Sequence, residues 1–292
     1  MTIKGIDVSE HQGNINWTKV KGNVGFVVLR AGYGDAITYP NQIDRTFEKN
    51  YKGCKDNGIP CGVYWYSYAQ SVEAAKQEAR ACLKAIKGKK FEYPIYFDLE
   101  ERSQFNKGRT FCDSIVKAFC GEIEKAGYYA GLYMSRSPLQ SYISADVAKR
   151  YTLWIAEYAS KCNYNGSYDM WQYSSTGKID GISGNVDVDY CYKDFPTKIK
   201  SANLNGFVKS KELPILEKSG YKKDDKTSGV LALKEMLIIA KVRKLHNVTL
   251  DENSIFGEGT EKAVNALLKK WGYKQNSIAG EKFIKKLASA IK

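Results

Sequence analysis

Clustered carboxylic acids are the residues of this sequence best suited to chemistry. Asp98 and Glu100 stand two residues apart after an apolar run, Asp7 follows a second strand-like run, and Asp187 lies in a third. Carboxylates brought together repel one another, and a desolvated one is driven toward its neutral form, so it can act as a general acid near neutral pH. Glycoside hydrolysis needs such an acid beside a second carboxylate. A lone Asp-X-Glu would be an ordinary solvated loop, but four acids at three strand ends favour this chemistry.

Aromatic and amide side chains in the same regions indicate a sugar substrate. The C–H faces of sugar rings stack on aromatic rings, and tyrosine hydroxyls bond the polar edges of the sugar. Part of this aromatic content is expected to fill a protein core instead. The predicted substrate-binding residues within or just after strand-like runs are Tyr64, Tyr66, Tyr133, Trp154, Trp171 and Gln172.

Eight strand-like segments carry these residues. The segments in the first 150 residues are separated by stretches of helical periodicity at 44–57, 72–87 and 111–126, and the later ones by shorter connections. Strands that alternate with helices form a parallel sheet that is buried on both faces. The predicted strands are 3–9, 26–31, 61–68, 93–99, 129–134, 152–158, 168–173 and 186–190.

The number of strands predicts an α/β fold of the barrel type. Eight strands in roughly 190 residues suit an incomplete (β/α) barrel, because the full eight-helix form typically takes ~250 residues, and a doubly wound open sheet is the alternative. Catalytic groups of such a barrel lie at the C-terminal ends of its strands. Residues i and i+2 of a strand share a face, so we expect Asp98 and Glu100 to enter one pocket, with Asp7 and Asp187 arriving from the strands that close the ring.

The composition divides the chain into two domains. The 292 residues carry a formal net charge of +13, and residues 201–292 alone hold 18 basic and 10 acidic side chains. We predict a catalytic barrel at 1–196, a linker at 197–218 and a domain of three amphipathic helices at 219–292, the second capped by Thr260. The apolar faces of these helices are marked by Val230, Leu233, Leu237 and Ala240, by Ala263, Val264, Leu267, Leu268 and Trp271, and by Phe283, Leu287 and Ile291.

Several other kinds of site are not favoured. The sequence has no CxxC pair and only two histidines, so we predict no metal and no cofactor, and we expect the seven cysteines to be reduced thiols. Gly32-Tyr33-Gly34 lacks the later glycine of a dinucleotide-binding loop. No apolar run reaches the roughly 18 residues of a membrane span, and no recognition element for nucleic acid accompanies the basic charge.

An ordered set of motifs between residues 3 and 195 resembles the lysozymes of glycoside hydrolase family 25. Each motif is weak alone, whereas their order is specific. The resemblance implies a modified (β/α)5β3 barrel that cleaves the β-1,4 bond between N-acetylmuramic acid and N-acetylglucosamine. The motifs are Gly5-Ile6-Asp7-Val8-Ser9 with Gln12, Asp98-Leu99-Glu100, Tyr133, Trp154, Trp171-Gln172-Tyr173 and Val186-Asp187.

The resemblance also implies roles for the acids. Glu100 matches the general acid of the family and Asp98 its partner carboxylate, and Asp7 and Asp187 match two flanking acids. The anomeric configuration is then expected to be retained. Either Asp98 attacks the anomeric carbon directly, or the substrate's own acetamido oxygen attacks while Asp98 orients it and stabilises the positive ring.

One segment departs from the family pattern. Residues 30–34 read Arg-Ala-Gly-Tyr-Gly, whereas many members have Ala-Thr-Glu-Gly there. Arg30 is therefore predicted to make a substrate contact that differs from the usual one, while the acid cluster is the same.

The C-terminal segment resembles the three-helix peptidoglycan-binding module. The usual Asp-Gly-x-Phe-Gly signal is degenerate here, at residues 251–257. The resemblance implies bacterial peptidoglycan as a partner, and the lysine-rich face suggests anionic wall polymers as another; a generic amphipathic cap is the alternative. The match rests on Val230, Leu233 and Leu237, on Ile255-Phe256-Gly257 with Thr260, Ala263 and Val264, and on Gly272-Tyr273.

The expected place of action is the bacterial cell wall. The sequence starts on a strand-like segment without the charged and apolar regions of a Sec signal peptide, which predicts synthesis in a host cytoplasm and action on the wall after release. This is the behaviour of a phage endolysin that lyses its host. A bacterial autolysin of the same chemistry and a non-catalytic protein that binds wall glycan are the alternatives. Neither a nucleic-acid partner nor membrane insertion is predicted.

Overall fold

Eight strands in the first part of the chain close into a barrel. A computed structural model describes residues 2–207 and 214–291 and divides the chain into two compact units, Met1–Lys209 and Ser210–Lys292. The strands are β1 Ile3–Val8, β2 Phe26–Tyr33, β3 Cys61–Tyr66, β4 Ile95–Asp98, β5 Ala130–Ser135, β6 Thr152–Ala156, β7 Met170–Gly177 and β8 Val186–Cys191. Strands β1 to β7 run parallel to their neighbours, and β8 lies antiparallel between β7 and β1. The predicted α/β barrel is confirmed, and the open sheet is excluded.

Helices cover the outside of this barrel. Alternation along each strand separates two layers, so that Ile6 and Val8 of β1 pack with the helices while Gly5 and Asp7 face the interior. The helices in the described part of this unit are α1 Trp17–Val20, α2 Phe47–Asp56, α3 Val72–Ile86, α4 Arg102–Phe105, α5 Arg109–Lys125, α6 Arg136–Tyr142, α7 Ala145–Arg150 and α8 Phe195–Ser201.

The lower interior of the barrel is filled by aromatic rings that face glycines. A Cβ atom on Gly5 would lie 2.3 Å from the Phe26 ring, and one on Gly131 would lie 2.5 Å from the Tyr96 ring. Small residues opposite large ones pack a narrow barrel without voids. The interior is thus closed at this depth, and the acids lie at the other end of the barrel, where the parallel strands end and the antiparallel β8 begins.

Two predicted boundaries differ from the structure. Helix α2 begins at Phe47 and not at residue 44, because the Asp44 carboxylate accepts bonds from the backbone N–H and hydroxyl of Thr46 and is paired with Arg30. The first part of the predicted linker is also ordered. Helix α8 occupies 195–201, and the buried amide of Asn205 donates to the carbonyls of Phe91 and Tyr93; residues 208–213 lie outside the described part of the chain.

The second unit contains the three predicted helices. They are α9 Ser228–Val242, α10 Glu258–Lys270 and α11 Glu281–Ala290, and their apolar faces form one core. Thr260 does not cap α10, because the N-cap is Gly257 and Thr260 lies buried inside the first turn. None of the helices in the described residues is long and apolar enough to cross a bilayer.

Candidate active site

The two strands that close the barrel bring Asp7 and Asp187 opposite one another. They are Cα partners in the antiparallel register of β1 and β8. Asp7 is buried, and its Oδ2 accepts a hydrogen bond from Nε2 of Gln172 on β7 at 2.8 Å. Oε1 of Gln172 accepts from the hydroxyls of Tyr133 at 2.9 Å and Tyr158 at 3.2 Å. The Gln172 amide therefore fixes the Asp7 carboxyl relative to two tyrosines.

Asp98 and Glu100 stand at the C-terminal end of β4. Asp98 is the last residue of that strand and is only 3% exposed, whereas Glu100 is half-buried. In register, Asp98 lies between Tyr66 of β3 and Tyr133 of β5. Its Oδ1 is buried without a hydrogen-bond partner among the described residues. A buried carboxyl oxygen left unpaired is costly, and such groups concentrate where function requires them.

Burial raises the pKa values of all four predicted acids, and repulsion between carboxylates adds to it for Asp7, Asp98 and Glu100. Burial is the largest cause for Asp98, and the charge of Glu100 adds to it. The pKa of Glu100 is raised by burial and then by Asp187, and that of Asp187 is raised by burial. The pKa of Asp7 is raised by burial and then by Asp189. These charge effects indicate that the acids lie within electrostatic reach of one another, and the pairing of β1 with β8 sets Asp7 opposite Asp187.

Asp189 is a fifth buried carboxyl in this site, and the sequence analysis did not single it out. Its Oδ1 accepts a hydrogen bond from the indole Nε1 of Trp154 at 2.8 Å. Burial is the largest cause of its raised pKa, and the hydrogen bond from Trp154 acts in the opposite direction. Its Oδ2 is buried without a hydrogen-bond partner among the described residues.

A sequence signal for Asp189 was available. Asp187 and Asp189 stand in the same i and i+2 relation on β8 as Asp98 and Glu100 do at the end of β4. Residues i and i+2 of a strand share a face, so the reasoning that paired Asp98 with Glu100 applies equally to Asp187 and Asp189. The sequence does not reveal the antiparallel register between β8 and β1. This register places Asp189 opposite Gly5, one step deeper in the barrel than Asp187.

Three of the predicted aromatic residues form a floor beneath the acids. Trp154 is 1% exposed and its ring centroid lies 4.4 Å from that of Tyr133 and 6.1 Å from that of Tyr64. The Trp154 ring is therefore core rather than open surface. Its role at the site is to support Tyr133 and to hold Asp189 through the indole N–H.

Trp171 is not brought to the acid cluster. Adjacent residues of a strand point to opposite faces, so Trp171 faces away from the side of β7 that presents Gln172. Its indole N–H donates to the Glu157 carbonyl at 2.8 Å, and its ring packs against Tyr173 and Tyr190. We therefore leave Trp171 out of the substrate-binding residues.

Arg30 lies in a cleft beside the acids. Its Nε pairs with Asp44 at 2.8 Å and its terminal nitrogen with Glu10 at 3.0 Å, which holds the guanidinium in place. Arg30 also lowers the pKa of Asp98 by its charge. Tyr66, the remaining predicted residue, donates its hydroxyl to Glu101 at 2.8 Å. The cleft measures about 390 Å³ and is lined by Glu10, His11, Arg30, Tyr33, Tyr66 and Tyr68.

The arrangement can supply one protonated and one ionised carboxyl to a bound sugar. The raised pKa values of these acids favour the protonated form, and Glu100 is the less buried acid of the β4 pair, so solvent and substrate reach it more readily. The cleft lined by Arg30 and Tyr66 offers ring faces and hydroxyls to a saccharide. These are the requirements of acid-catalysed glycoside cleavage.

Comparison with known proteins gives the same chemistry. The family model described as "Glycosyl hydrolases family 25" matches residues 6–182, a range that includes Asp7, Asp98 and Glu100. The chain is also 31% identical over 189 residues to the autolytic lysozyme of Clostridium acetobutylicum, covering 64% of this chain and 55% of that protein.

Solved structures share the barrel. The autolysin LytC of Streptococcus pneumoniae superimposes with a TM-score of 0.58 and 31% identity over 65% of this chain, and it has also been solved with a synthetic peptidoglycan ligand. The CTP1L endolysin superimposes with a TM-score of 0.59 and 25% identity over 68% of this chain and 69% of its own. The match spans about half of LytC, 47% of its chain.

Proposed function

The chain belongs to glycosyl hydrolase family 25, and we propose that it is an N-acetylmuramidase that cleaves the β-1,4 bond between N-acetylmuramic acid and N-acetylglucosamine in peptidoglycan. The observation that carries this proposal is the Asp98–Glu100 pair, buried at the barrel mouth with raised pKa values. The names of the relatives support the wall glycan as the substrate, since they include a lysozyme, an autolysin and an endolysin.

Glu100 is the general acid in this proposal. Its side chain is only half-buried and so remains open to solvent and substrate, and its raised pKa keeps the proton that the leaving sugar oxygen takes. After the bond breaks, the Glu100 carboxylate removes a proton from the incoming water and returns to its acid form. Asp98 is the partner carboxylate in this proposal. Burial raises its pKa, the charge of Arg30 acts in the opposite direction, and the positive charge that develops on the sugar ring during cleavage favours its ionised form.

The configuration at the anomeric carbon is retained in both routes open to Asp98. In one route the Asp98 carboxylate attacks that carbon, which requires a separation of roughly 5–5.5 Å from Glu100. In the other the substrate's acetamido oxygen attacks and Asp98 stabilises the positively charged ring. A substrate whose acetamido group is replaced by a hydroxyl distinguishes the two, because only direct attack survives the replacement.

Asp7 and Asp187 assist the catalytic pair in this proposal, Asp7 by binding the sugar and Asp187 by its effect on Glu100. The Asp187 side chain is less buried than that of Asp7, and its charge raises the pKa of Glu100. Asp187 therefore helps to keep the general acid protonated. Asp7 is fixed by the hydrogen bond from Gln172, which positions it for a hydrogen bond to the sugar. Tyr64, Tyr66 and Tyr133 supply the stacking and hydroxyl contacts.

A zymogram with embedded bacterial walls tests the assignment of Glu100. Glu100→Gln removes the proton donor at constant size, so clearing is expected to fall by at least about 100-fold while the melting temperature is kept. Glu122→Gln is the matched control, because Glu122 lies on the outer helix α5 and pairs only with Lys125. Full clearing by Glu100→Gln overturns the assignment, and analysis of the released reducing ends identifies which sugar bond is cut.

We also propose that the enzyme acts as a phage endolysin during host lysis. The likeness to the CTP1L endolysin supports this role, and the likeness to two autolytic enzymes supports a bacterial autolysin as the alternative. Induction of the full chain inside a Gram-positive host separates them. An endolysin lyses the culture only after the membrane is permeabilised by an added pore-former, whereas lysis without permeabilisation assigns the autolysin role.

The second unit is, in this proposal, a module that binds the cell wall. Its three helices around one core fit the resemblance to peptidoglycan-binding modules, and its surplus of lysines suits a negatively charged wall. It would keep the barrel near its insoluble substrate, raising the local concentration of bonds to cut.

A further inference from the structure

In the second unit, the N-terminal ends of helices α9 and α10 lie next to each other, and so do their C-terminal ends. Lys226 and Ile255 form a β-bridge just before the two helices start, and the Thr227 N–H donates to the Ser254 carbonyl at 3.2 Å. At the other end, the Lys270 ammonium group lies 3.4 Å from the Lys244 carbonyl oxygen. The two helices therefore run in the same direction, and their C-terminal ends form one surface.

Charge is segregated along this direction. Residues 236–250 and 262–280 contain no acidic side chain, although they carry seven basic ones. Acidic residues stand at the start of the helices instead, with Glu258 and Glu261 in the first turn of α10 and Asp224 and Asp225 shortly before α9. We call the C-terminal surface the basic end; its lysines are Lys241, Lys244, Lys269, Lys270, Lys274 and Lys286.

The ion pairs between described residues of the unit do not include the lysines of the basic end. In residues 214–291, the lysines that the structure pairs with carboxylates are others: Lys218, Lys234, Lys262 and Lys285. Lys241 bonds the Thr249 hydroxyl instead, and Lys270 the carbonyl already described. The pKa of His246 is lowered by burial and further by the charges of Lys241 and Lys270, as expected in a positive local potential.

An exposed tyrosine adds a neutral contact to the basic end. Tyr273 is 52% exposed, and the Lys286 ammonium lies 4.7 Å from the centre of its ring and 5.4 Å from that of Trp271. The same ammonium reaches the Tyr273 hydroxyl at 3.3 Å. The Tyr273 ring, its hydroxyl and the Lys286 ammonium therefore lie close together. This combination suits a polymer that alternates anionic groups with polyol or sugar units.

Helix dipoles explain only part of this pattern. A cation in the last turn of a helix is stabilised by the negative end of the dipole, which accounts for Lys241 on α9 and for Lys269 and Lys270 on α10. It does not account for Lys244 and Lys274 beyond the helix ends or for Lys286 of α11. A surface that accumulates like charges without counter-ions attracts a polyanion through release of the polymer's own counter-ions.

We propose that the basic end is a binding site for a wall polymer whose backbone carries repeated phosphodiester groups. Lysine ammonium groups bind phosphate oxygens as point charges and need no fixed fork geometry, which suits a flexible polymer. The site rests on the proposed wall-directed function. It adds that the polymer recognised by the second unit is the phosphodiester polymer, while the glycan of peptidoglycan is bound by the barrel.

Co-sedimentation of the full chain with purified Gram-positive walls tests this site. The Glu100→Gln background prevents digestion of the walls during the assay. The variant Lys269→Gln, Lys270→Gln, Lys274→Gln is expected to bind at least tenfold more weakly, with a slope of log affinity against log salt that is shallower by about two to three. The matched control is Lys222→Gln, Lys223→Gln, Lys226→Gln, which removes the same charge beside Asp224 and Asp225 and is expected to bind nearly as the parent does.

Extraction of the walls with hydrofluoric acid identifies the ligand, because it removes polymers linked through phosphodiesters and leaves peptidoglycan. Parent binding is expected to fall to that of the basic-end variant on extracted walls. Undiminished binding to extracted walls, or equal losses in the two lysine variants, overturns the proposal. Replacement of the same three lysines by arginine is expected to restore binding, which separates charge from folding. Reducing-end release by the wild-type enzyme on extracted walls measures the muramidase proposal independently.

Discussion

Two regions of this protein bury charged groups in opposite ways. In the barrel mouth, the neutral amide of Gln172 and the neutral indole of Trp154 are the hydrogen-bond donors to two buried aspartates. In the helical unit, the side chain of Lys234 is 1% exposed, and its ammonium donates to Asp251 and to Asn253, each at 2.7 Å. In the first region neutral groups donate to the two aspartates, whereas in the second a carboxylate and an amide oxygen accept from the buried ammonium.

The contrast separates a reactive arrangement from a structural one. A buried charge is tolerated when a counter-ion and hydrogen bonds replace water, as at Lys234, and it then fixes the loop at 251–253 to helix α9. Acids grouped without such partners shift their pKa values upward and hold protons for transfer. Active sites of this kind lower stability in exchange for function, so neutralising substitutions have opposite effects in the two regions.

The largest expected effect is that of Asp98→Asn on activity. Loss of the ionised partner carboxylate is expected to lower wall hydrolysis by two or more orders of magnitude, without lowering the melting temperature, since a repelled buried acid is removed. Reducing-end release and thermal unfolding measure both quantities. Asp180→Asn, at an exposed site paired with Lys19, is the control. A mild loss of activity would reassign the partner role to another acid.

Lys234→Met is expected to have the next largest effect, on stability. Methionine keeps the apolar stem but removes three donors, so the free energy of unfolding of the helical unit should fall by about 1.5–3 kcal/mol. Urea unfolding measures the change. Lys262→Met is the control, because Lys262 makes only an exposed i,i+4 pair with Glu258. Equal losses in the two variants would contradict a structural role of the buried pair.

Asp189→Asn is expected to stabilise the barrel in a pH-dependent way. A carboxyl whose folded pKa is raised binds more protons in the folded state, so its contribution is full at acid pH and is lost as the pH rises through that pKa. The asparagine variant lacks this loss while its oxygen still accepts from Trp154. Its unfolding free energy should exceed that of the wild type by about 1–2 kcal/mol near neutral pH and converge with it below pH ~4. A constant difference at all pH values would argue against titration of Asp189.

Asp187→Asn is expected to have the smallest effect, a shift of the pH profile. The Asp187 charge raises the pKa of Glu100, so its removal lowers that pKa, and the acid form is lost at a lower pH. The alkaline limb of the activity profile should therefore move to lower pH by less than about one unit. Asp56→Asn, at an exposed residue paired with Lys52, should leave the limb in place. A shift to higher pH would exclude Asp187 as the neighbour that tunes Glu100.

Local patterns predicted most of the elements that position the site. The eight strands and helices α3 and α5 lie within a few residues of their predicted bounds, because an apolar run or a 3.6-residue period is a property of neighbouring residues. The predicted bounds were wrong where contacts with residues distant in the sequence fix the segment. Asp44 is engaged by Arg30 and Thr46 before α2 begins, and Asn205 ties the expected linker to the barrel.

The sequence by itself predicted the chemistry that we propose for this chain, because Asp98, Glu100, Asp7 and Asp187 stand in or just after recognisable strands in a specific order. The tertiary structure alone decided which other groups join them. The antiparallel return of β8 sets Asp187 opposite Asp7 and places Asp189 one step deeper, a pairing across 180 residues that no local period encodes.

The same division holds for the second unit. Its lysines and apolar faces are visible in the sequence, whereas their collection at one end depends on α9 and α10 running in the same direction. Spacing along a strand or helix fixes the face of a residue, but closure of a ring and the direction of packed helices follow from burial of the whole core. For that reason the residues of both sites could be listed from the sequence, and their partners could not.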